Sequence, residues 1–480
     1  MTESSTQIPG KKQKDWGKWA LFTLFLCGYA WSYTYLATIL IEEANTSKIG
    51  NIQTQYIDAV YKAAAIGEDD PAASRSISYR FTQLLPQYTD GLIDPLWPWL
   101  MRDHSQEAPD EMFETGKHMN MVLSAGLLIL FGLGAAKAFS FTGSAAMILM
   151  GGFGVILERS AYFSSDAIYY LLVVLAWLCG LSMIRQNMLW QYAVFGLLLG
   201  LAYLAKAMIW PIAVGFIIVS IIRSIACAVA ARKKGEAEDS LWVPSNQLVG
   251  FAMMLAAFLL IVGPRMSYAN TQFGDPFYSL QNYVVWMDSP AEAAEFQRSY
   301  PGREELETLN IMTRPGVVRY VSENGFAKLF QRGWNGAIYQ LKFSVLGRGG
   351  WILIYGIGVF VVIGSIHRWA FWKRKHEIWR VRGTSAPWML LFLLLVLTIT
   401  LFYAGIGNPV VRFNSMTTAM FLPVLLTFFW ISERYRRQLQ RSRCARLVNW
   451  VHFSLLLLPI LFQSYKTVSY THLRAHETRP

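Results

Sequence analysis

Long apolar runs constrain this chain more than any other feature of its sequence. Several of them reach the roughly 17–25 residues that a helix needs to cross a bilayer. The sequence therefore predicts an all-α, polytopic membrane protein with about 11 transmembrane helices. The predicted helices lie near residues 19–41, 119–138, 140–157, 165–184, 189–206, 208–230, 248–266, 351–366, 387–404, 414–432 and 447–464.

The charge distribution predicts how the chain is oriented. Only 15% of its residues are charged, against about a quarter in a soluble domain. Although the net charge is +12, the basic residues cluster in short segments between apolar runs, including the tail 1–18 and the loop 231–247. Such clusters are typical of cytoplasmic segments. We therefore expect a cytoplasmic N-terminus and no nucleic-acid partner. The four cysteines indicate neither a disulfide framework nor a metal cluster, since three of them lie in apolar runs.

The same alternation puts two long segments, 42–118 and 267–350, on the external face. The first carries 13 acidic and 6 basic residues, and the second carries 8 of each. Both contain amphipathic patterns and are expected to fold as caps on the membrane domain. That domain is predicted to comprise a membrane module, 19–230, which includes the first loop, and C-terminal membrane helices, 248–466, which include the second. No internal repeat of the kind found in many transporters is visible. The tail 467–480 resembles translated sequencing-adaptor read-through and is predicted to be non-native.

Charged residues gather near the predicted external membrane boundary. The stretch "ERSAYFSSDAIYY" carries Glu158, Arg159 and Asp166, and the cations Lys206, Arg265 and Arg412 lie at comparable depth. An ionisable residue at membrane depth is costly and by default indicates a functional site. Cations beside carboxylates suit an anionic headgroup such as a phosphate.

Structural roles compete with that interpretation. Lysine and arginine near helix ends extend to the interface without any ligand. Asp166 is also suited to capping the helix that follows it, and Glu158 to pairing with Arg159. Gly196 and Gly200, at G-x-x-x-G spacing, predict close helix packing.

The order of several segments resembles the GT-C glycosyltransferases. The likeness is to bacterial members related to protein O-mannosyltransferases and to the lipid A aminoarabinose transferase. It runs from residue 19 to about 430 through the segments "DPLWPWL", "SSDAIYYLLVVLAWL", "GLLLGLAYLAKAMIWPI", "GPRMSYANTQFGDPF" and "NPVVRFNSMTTAMFLPVLL".

The resemblance implies an inverting sugar transfer from a polyprenyl-phosphate donor to an envelope glycan, lipid or protein, on the external face of the bacterial inner membrane. It implies that Lys206, Arg412 and Arg265 bind the donor phosphate. Glu158 and Asp166 would shape the acceptor side or hold a metal. The resemblance identifies no definite cofactor and leaves a divalent cation open.

One departure from the family pattern concerns the general base. The family opens its first loop with an acidic pair, and that position falls here near Ile52 and Gln53, where no carboxylate stands. Asp58 and Asp94 are therefore the candidate bases. Asp58 is equally explained as one half of an exposed pair with Lys62.

Two other functions remain alternatives. The first is a flippase or transporter of lipid-linked glycans, which would use the same cations without bond chemistry. The second is a non-catalytic relative that assists envelope assembly, as the missing acidic pair allows.

Overall fold

The computed structural model describes part of the chain. The described residues are 16–44, 52–65, 94–138, 141–152, 156–234, 244–300, 309, 314–346, 386–407, 419–420, 422–424 and 426–427. Several predicted features lie outside the described residues. They are Arg412, the predicted helices near 351–366 and 447–464, most of the predicted helix near 414–432, and the tail 467–480.

The described residues form helices joined by turns, without any strand. In chain order the helices are α1 (Trp16–Ile39), α2 (Ile52–Ala65), α3 (Leu96–Met101), α4 (Pro109–Ala138), α5 (Phe141–Gly151), α6 (Leu157–Ser160), α7 (Asp166–Gln186), α8 (Leu189–Ala205), α9 (Trp210–Lys234), α10 (Pro244–Phe273), α11 (Leu280–Val284), α12 (Pro290–Ser299), α13 (Val317–Leu346) and α14 (Ala386–Ile406).

Six of these helices are long and apolar enough to cross a membrane. They contain the segments Trp19–Glu42, Pro109–Leu133, Asp166–Gln186, Trp210–Val229, Asn246–Phe273 and Pro387–Ile406, and the shorter apolar helix α8 lies among them. An all-α, multi-pass membrane protein follows. The predicted total of 11 spans stays a prediction.

Two helix boundaries differ from the sequence prediction. The helix expected near 119–138 begins ten residues earlier, at Pro109, because proline suits the first helical turn and Asp110 and Glu111 favour its positive dipole end. The helix expected near 140–157 is described as α5, ending at Gly151, and the four-residue α6.

The helix α8 packs against both α7 and α10. Asn187 reverses the chain between α7 and α8 in the left-handed conformation, with φ of 50°. A Cβ on Gly196 would lie 2.2 Å from the carbonyl oxygen of Met254, and one on Gly200 would lie 2.8 Å from Cβ of Ile261. The helix α8 therefore touches α10 through its glycines, as the G-x-x-x-G spacing predicted.

This contact gives a prediction with a matched control. Gly196→Ala should destabilise the detergent-solubilised protein by about 1–3 kcal/mol, because the new methyl group meets backbone that cannot yield. Gly263→Ala lies in α10, where a Cβ meets no described atom within 4 Å, and should leave thermal unfolding unchanged or slightly raised. Equal thermal unfolding midpoints for Gly196→Ala and Gly263→Ala would contradict the close contact between α8 and α10.

Candidate functional site

A buried ion pair joins the beginning of α7 to the end of α8. Nζ of Lys206 donates to Oδ1 of Asp166, and the two side chains are only 13% and 6% exposed. Nη1 of Arg159 lies 3.7 Å from the other carboxylate oxygen. The side chain of Ser165, which precedes α7, makes no capping hydrogen bond. Asp166 thus directs its charge toward two cations.

The turn that leads into Asp166 is held from two sides. From α4, Nδ2 of Asn120 donates to the carbonyl oxygens of Tyr162, at 2.5 Å, and Ser164, at 2.8 Å. From α2, Oε1 of Gln53 accepts the backbone N–H of Phe163 at 2.7 Å. Because these side chains satisfy otherwise buried backbone groups, they fix the path of the turn.

The helix α2 turns one face toward this site and the opposite face away from it. Tyr56 is buried, and its hydroxyl lies 2.8 Å from Oγ of Ser165. Asp58 follows two residues later, about 200° around the helix, and is exposed. The structure therefore does not bring Asp58 into the buried charge cluster.

Asp94 is the candidate base that the structure does bring to the cluster. It precedes α3 and lines a narrow cleft, with enclosed room for about one water molecule, together with Tyr203, Arg265 and Tyr278. The backbone N–H of Ala207 donates to its carboxylate. Arg265, predicted to bind phosphate, is buried in the same wall. Carboxylate and guanidinium thus face a shared opening.

Burial raises the pKa of Asp94 from its ordinary value to about 7, although the charges of Lys206 and Arg265 and the Ala207 hydrogen bond oppose the rise. Desolvation therefore outweighs the two cations. Burial likewise raises the pKa of the Tyr56 hydroxyl, and the charges of Asp94 and Asp166 raise it further. The charges of Asp94 and Asp166 therefore both act on Tyr56.

The remaining predicted residues are only partly visible. Glu158 lies in α6, but its side chain is outside the described part, as is all of Arg412. The guanidinium of Arg159, next along the chain, contacts Asp166. Within the described ranges, no group of three or more histidine, cysteine, aspartate or glutamate side chains is arranged to hold a metal ion.

Sequence reasoning overlooked one acidic pair. Glu42 and Glu43 lie in the π-helical turn Leu40–Ala44, directly after α1, and the side chain of Glu42 is exposed. Nζ of the fully buried Lys117 lies 3.4 Å from the carbonyl oxygen of Ile41 in this turn. Two adjacent glutamates at the end of an apolar helix were the signal that could have identified them.

Gln53, Tyr56 and Asn120 were also missed. Each is an ordinary polar residue in an amphipathic or apolar helix, and its role depends on a turn more than 40 residues away. Only the three-dimensional packing identifies them as supports of the site.

Comparison of the chain with protein-family models gives no match. Neither curated protein sequences nor solved structures give a significant match.

The raised pKa of Asp94 can be tested directly. Infrared difference spectra should contain a protonated carboxyl band that disappears as the pH rises through about 7, and Asp94→Asn should abolish it. Arg265→Gln should move the midpoint upward, because a charge that favours the carboxylate is lost. The folded state favours the protonated form relative to a free aspartate, so this group's contribution to stability should decline as the pH rises through about 7.

Asp58→Asn serves as the control, since Asp58 is exposed, and it should leave the band unchanged. A band insensitive to Asp94→Asn would contradict the assignment. A pH midpoint of the band near the ordinary pKa of an aspartate would also contradict the assignment.

Proposed function

We propose that this chain is a membrane glycosyltransferase of the GT-C type. It moves a sugar from a polyprenyl-phosphate donor to an envelope glycan, lipid or protein, with inversion at the anomeric carbon. The observation that carries the proposal is Asp94, a carboxylate with a pKa of about 7 that shares a cleft with Arg265. The adjoining Lys206–Asp166 pair supplies further charge.

Asp94 is the general base in this proposal. It accepts the proton of an acceptor hydroxyl while that oxygen attacks the anomeric carbon. A base is most effective when its pKa lies near the working pH, and a value of about 7 meets that requirement. Asp58 is exposed on the far face of α2 and lies outside this cluster.

Arg265 and Lys206 stabilise the leaving group. As the bond between the anomeric carbon and the phosphate oxygen breaks, its electron pair passes to the phosphate. Cations fixed in a site with little water stabilise that growing charge without having to reorganise. Asp166 orients Lys206 and also contacts Arg159. Arg412 and Glu158 keep their predicted roles, toward the phosphate and the acceptor.

The membrane setting supports the same assignment. The ends of α7 and α8 meet beside the cleft, at one end of a bundle that contains six candidate spans. A lipid-linked phosphate sits at the end of such spans, because its chain occupies the hydrocarbon core. The proposed orientation puts this end outside the cytoplasm, with about 11 spans in the bacterial inner membrane.

The transfer reaction can be measured with a radiolabelled polyprenyl-phosphate sugar and envelope extracts as acceptors. Asp94→Asn should lower kcat by about 100-fold or more, because asparagine has nearly the size of aspartate but cannot accept the proton. Asp58→Asn should retain full activity. The wild-type rate should rise with pH and reach half its maximum near pH 7, since only deprotonated Asp94 accepts a proton.

Glu42→Gln is a useful third variant, because Glu42 belongs to the overlooked acidic pair. Full transfer by Asp94→Asn together with loss in Glu42→Gln would move the base to the end of α1. Movement of the lipid-linked sugar across the bilayer without any product would favour the transporter alternative and contradict the proposal.

A further inference from the structure

The long helix α13 contains two segments with different surroundings. Gly325, with φ of 79° and ψ of 160°, interrupts Val317–Leu346, so that an independent helix begins at Phe326. A positive φ is readily adopted by glycine, and the break lets the second segment take its own direction. We call residues 326–346 the C-terminal segment of α13.

One face of this segment packs tightly on the end of α14. A Cβ on Gly336 would lie 2.1 Å from the carbonyl oxygen of Gly405, and one on Gly333 would lie 2.4 Å from the ring of Phe402. Leu329 is buried in a cluster with Ile406. The two backbones are therefore in contact at the last turns of a candidate membrane span, Pro387–Ile406.

A second face, next to this contact, exposes large apolar side chains. Phe326, Phe330 and Trp334 recur every four residues and are 75%, 61% and 56% exposed. Ile338 and Leu341 continue the same stripe. Isolated apolar residues on a surface are ordinary, but a contiguous aromatic stripe marks an interaction surface.

The third face is polar and carries lysine. Lys328, Gln331, Asn335 and Lys342 are exposed on the side opposite the contact with α14. A helix with Phe, Trp and Leu on one face and lysine on the other has the composition of helices that lie in the plane of a membrane interface.

We propose that the C-terminal segment of α13 lies in the membrane interface, with its Phe326–Phe330–Trp334 stripe inserted among phospholipid acyl chains. The occupant of the stripe is the bilayer in which the chain's own spans lie. Continuity carries this inference: the ring of Phe330 is 6.1 Å from that of Phe402, so the stripe extends the surface of a candidate span just where that span ends. Lysines on the polar face then meet anionic headgroups.

Arg332 fixes this placement relative to the cleft. Its guanidinium donates to the carbonyl oxygens of Val285, at 3.1 Å, Met287, at 2.6 Å, and Ile406, at 2.7 Å. Val285 follows the residues that form one wall of the cleft. Arg332 therefore ties an interfacial α13 to the backbone at Val285 and Met287, a few residues after the cleft-lining Ser279.

Site-directed spin labelling tests the depth of the stripe. The full chain, with its four native cysteines replaced, would carry single cysteines as Phe326→Cys, Phe330→Cys or Trp334→Cys, and Gln331→Cys or Asn335→Cys as matched controls on the polar face. Each labelled protein would be reconstituted into vesicles of phosphatidylethanolamine with a minority of phosphatidylglycerol. Collision rates with oxygen, which enriches in lipid, and with a water-soluble nickel chelate give the depth of each label.

Labels on the stripe should show collision rates with oxygen several-fold above those with the nickel chelate, and the control labels should show the reverse. High collision rates with nickel on the stripe would show an aqueous surface and overturn the proposal. Low rates with both reagents would show contact with a second copy or another protein segment, and would also overturn it. Thermal unfolding like that of the cysteine-free parent shows that each variant is folded.

Discussion

The ion pair between Lys206 and Asp166 is the contact on which the arrangement of this site depends. Two opposite charges removed from water are costly unless they pair closely and their remaining groups are satisfied. Their pairing requires the end of α8 to meet the beginning of α7 at one level. Since α8 stops at Ala205, Lys206 adopts an extended conformation with φ of −157°. The break leaves the next backbone N–H, that of Ala207, to bond Asp94.

The raised pKa of Asp94 follows from this geometry. A carboxylate brought against the end of a membrane bundle loses hydration, and this loss favours its neutral form. Lys206 and Arg265 restore part of the lost stabilisation, so the pKa settles at about 7 instead of rising further. In the proposed transferase, the same two cations serve twice: they keep the base usable at neutral pH, and they receive the negative charge of the departing phosphate.

The described apolar helices were readable from the sequence, because apolar runs have a definite length and charges at membrane depth are rare, although α4 begins ten residues before the predicted boundary. Asp166, Lys206 and Arg265 were identified in this way, and the structure brings all three to one region of the bundle. The glycine spacing in α8 likewise predicted close helix packing, and the structure identifies α10 as the partner. These features depend on local pattern and on topology alone.

The choice between Asp58 and Asp94 could not be made from the sequence. Both residues stand in the same long loop, and their separation depends on which face of α2 packs against the turn before Asp166. Gln53 occupies the position expected for an acid, yet it serves as a hydrogen-bond acceptor for that turn. Such pairings join residues more than 100 positions apart and leave no periodic signal in the sequence.

The central claim is that the Asp94 cleft and its cations receive a lipid-linked phosphate. An electron cryomicroscopy map of the full chain in a nanodisc, with a polyprenyl phosphate added, tests it most directly. The account predicts phosphate density within hydrogen-bonding distance of Arg265 or Lys206, with the lipid chain entering the bilayer beside α8 and α10. Phosphate density elsewhere on the protein, with the Asp94 cleft empty, would contradict it.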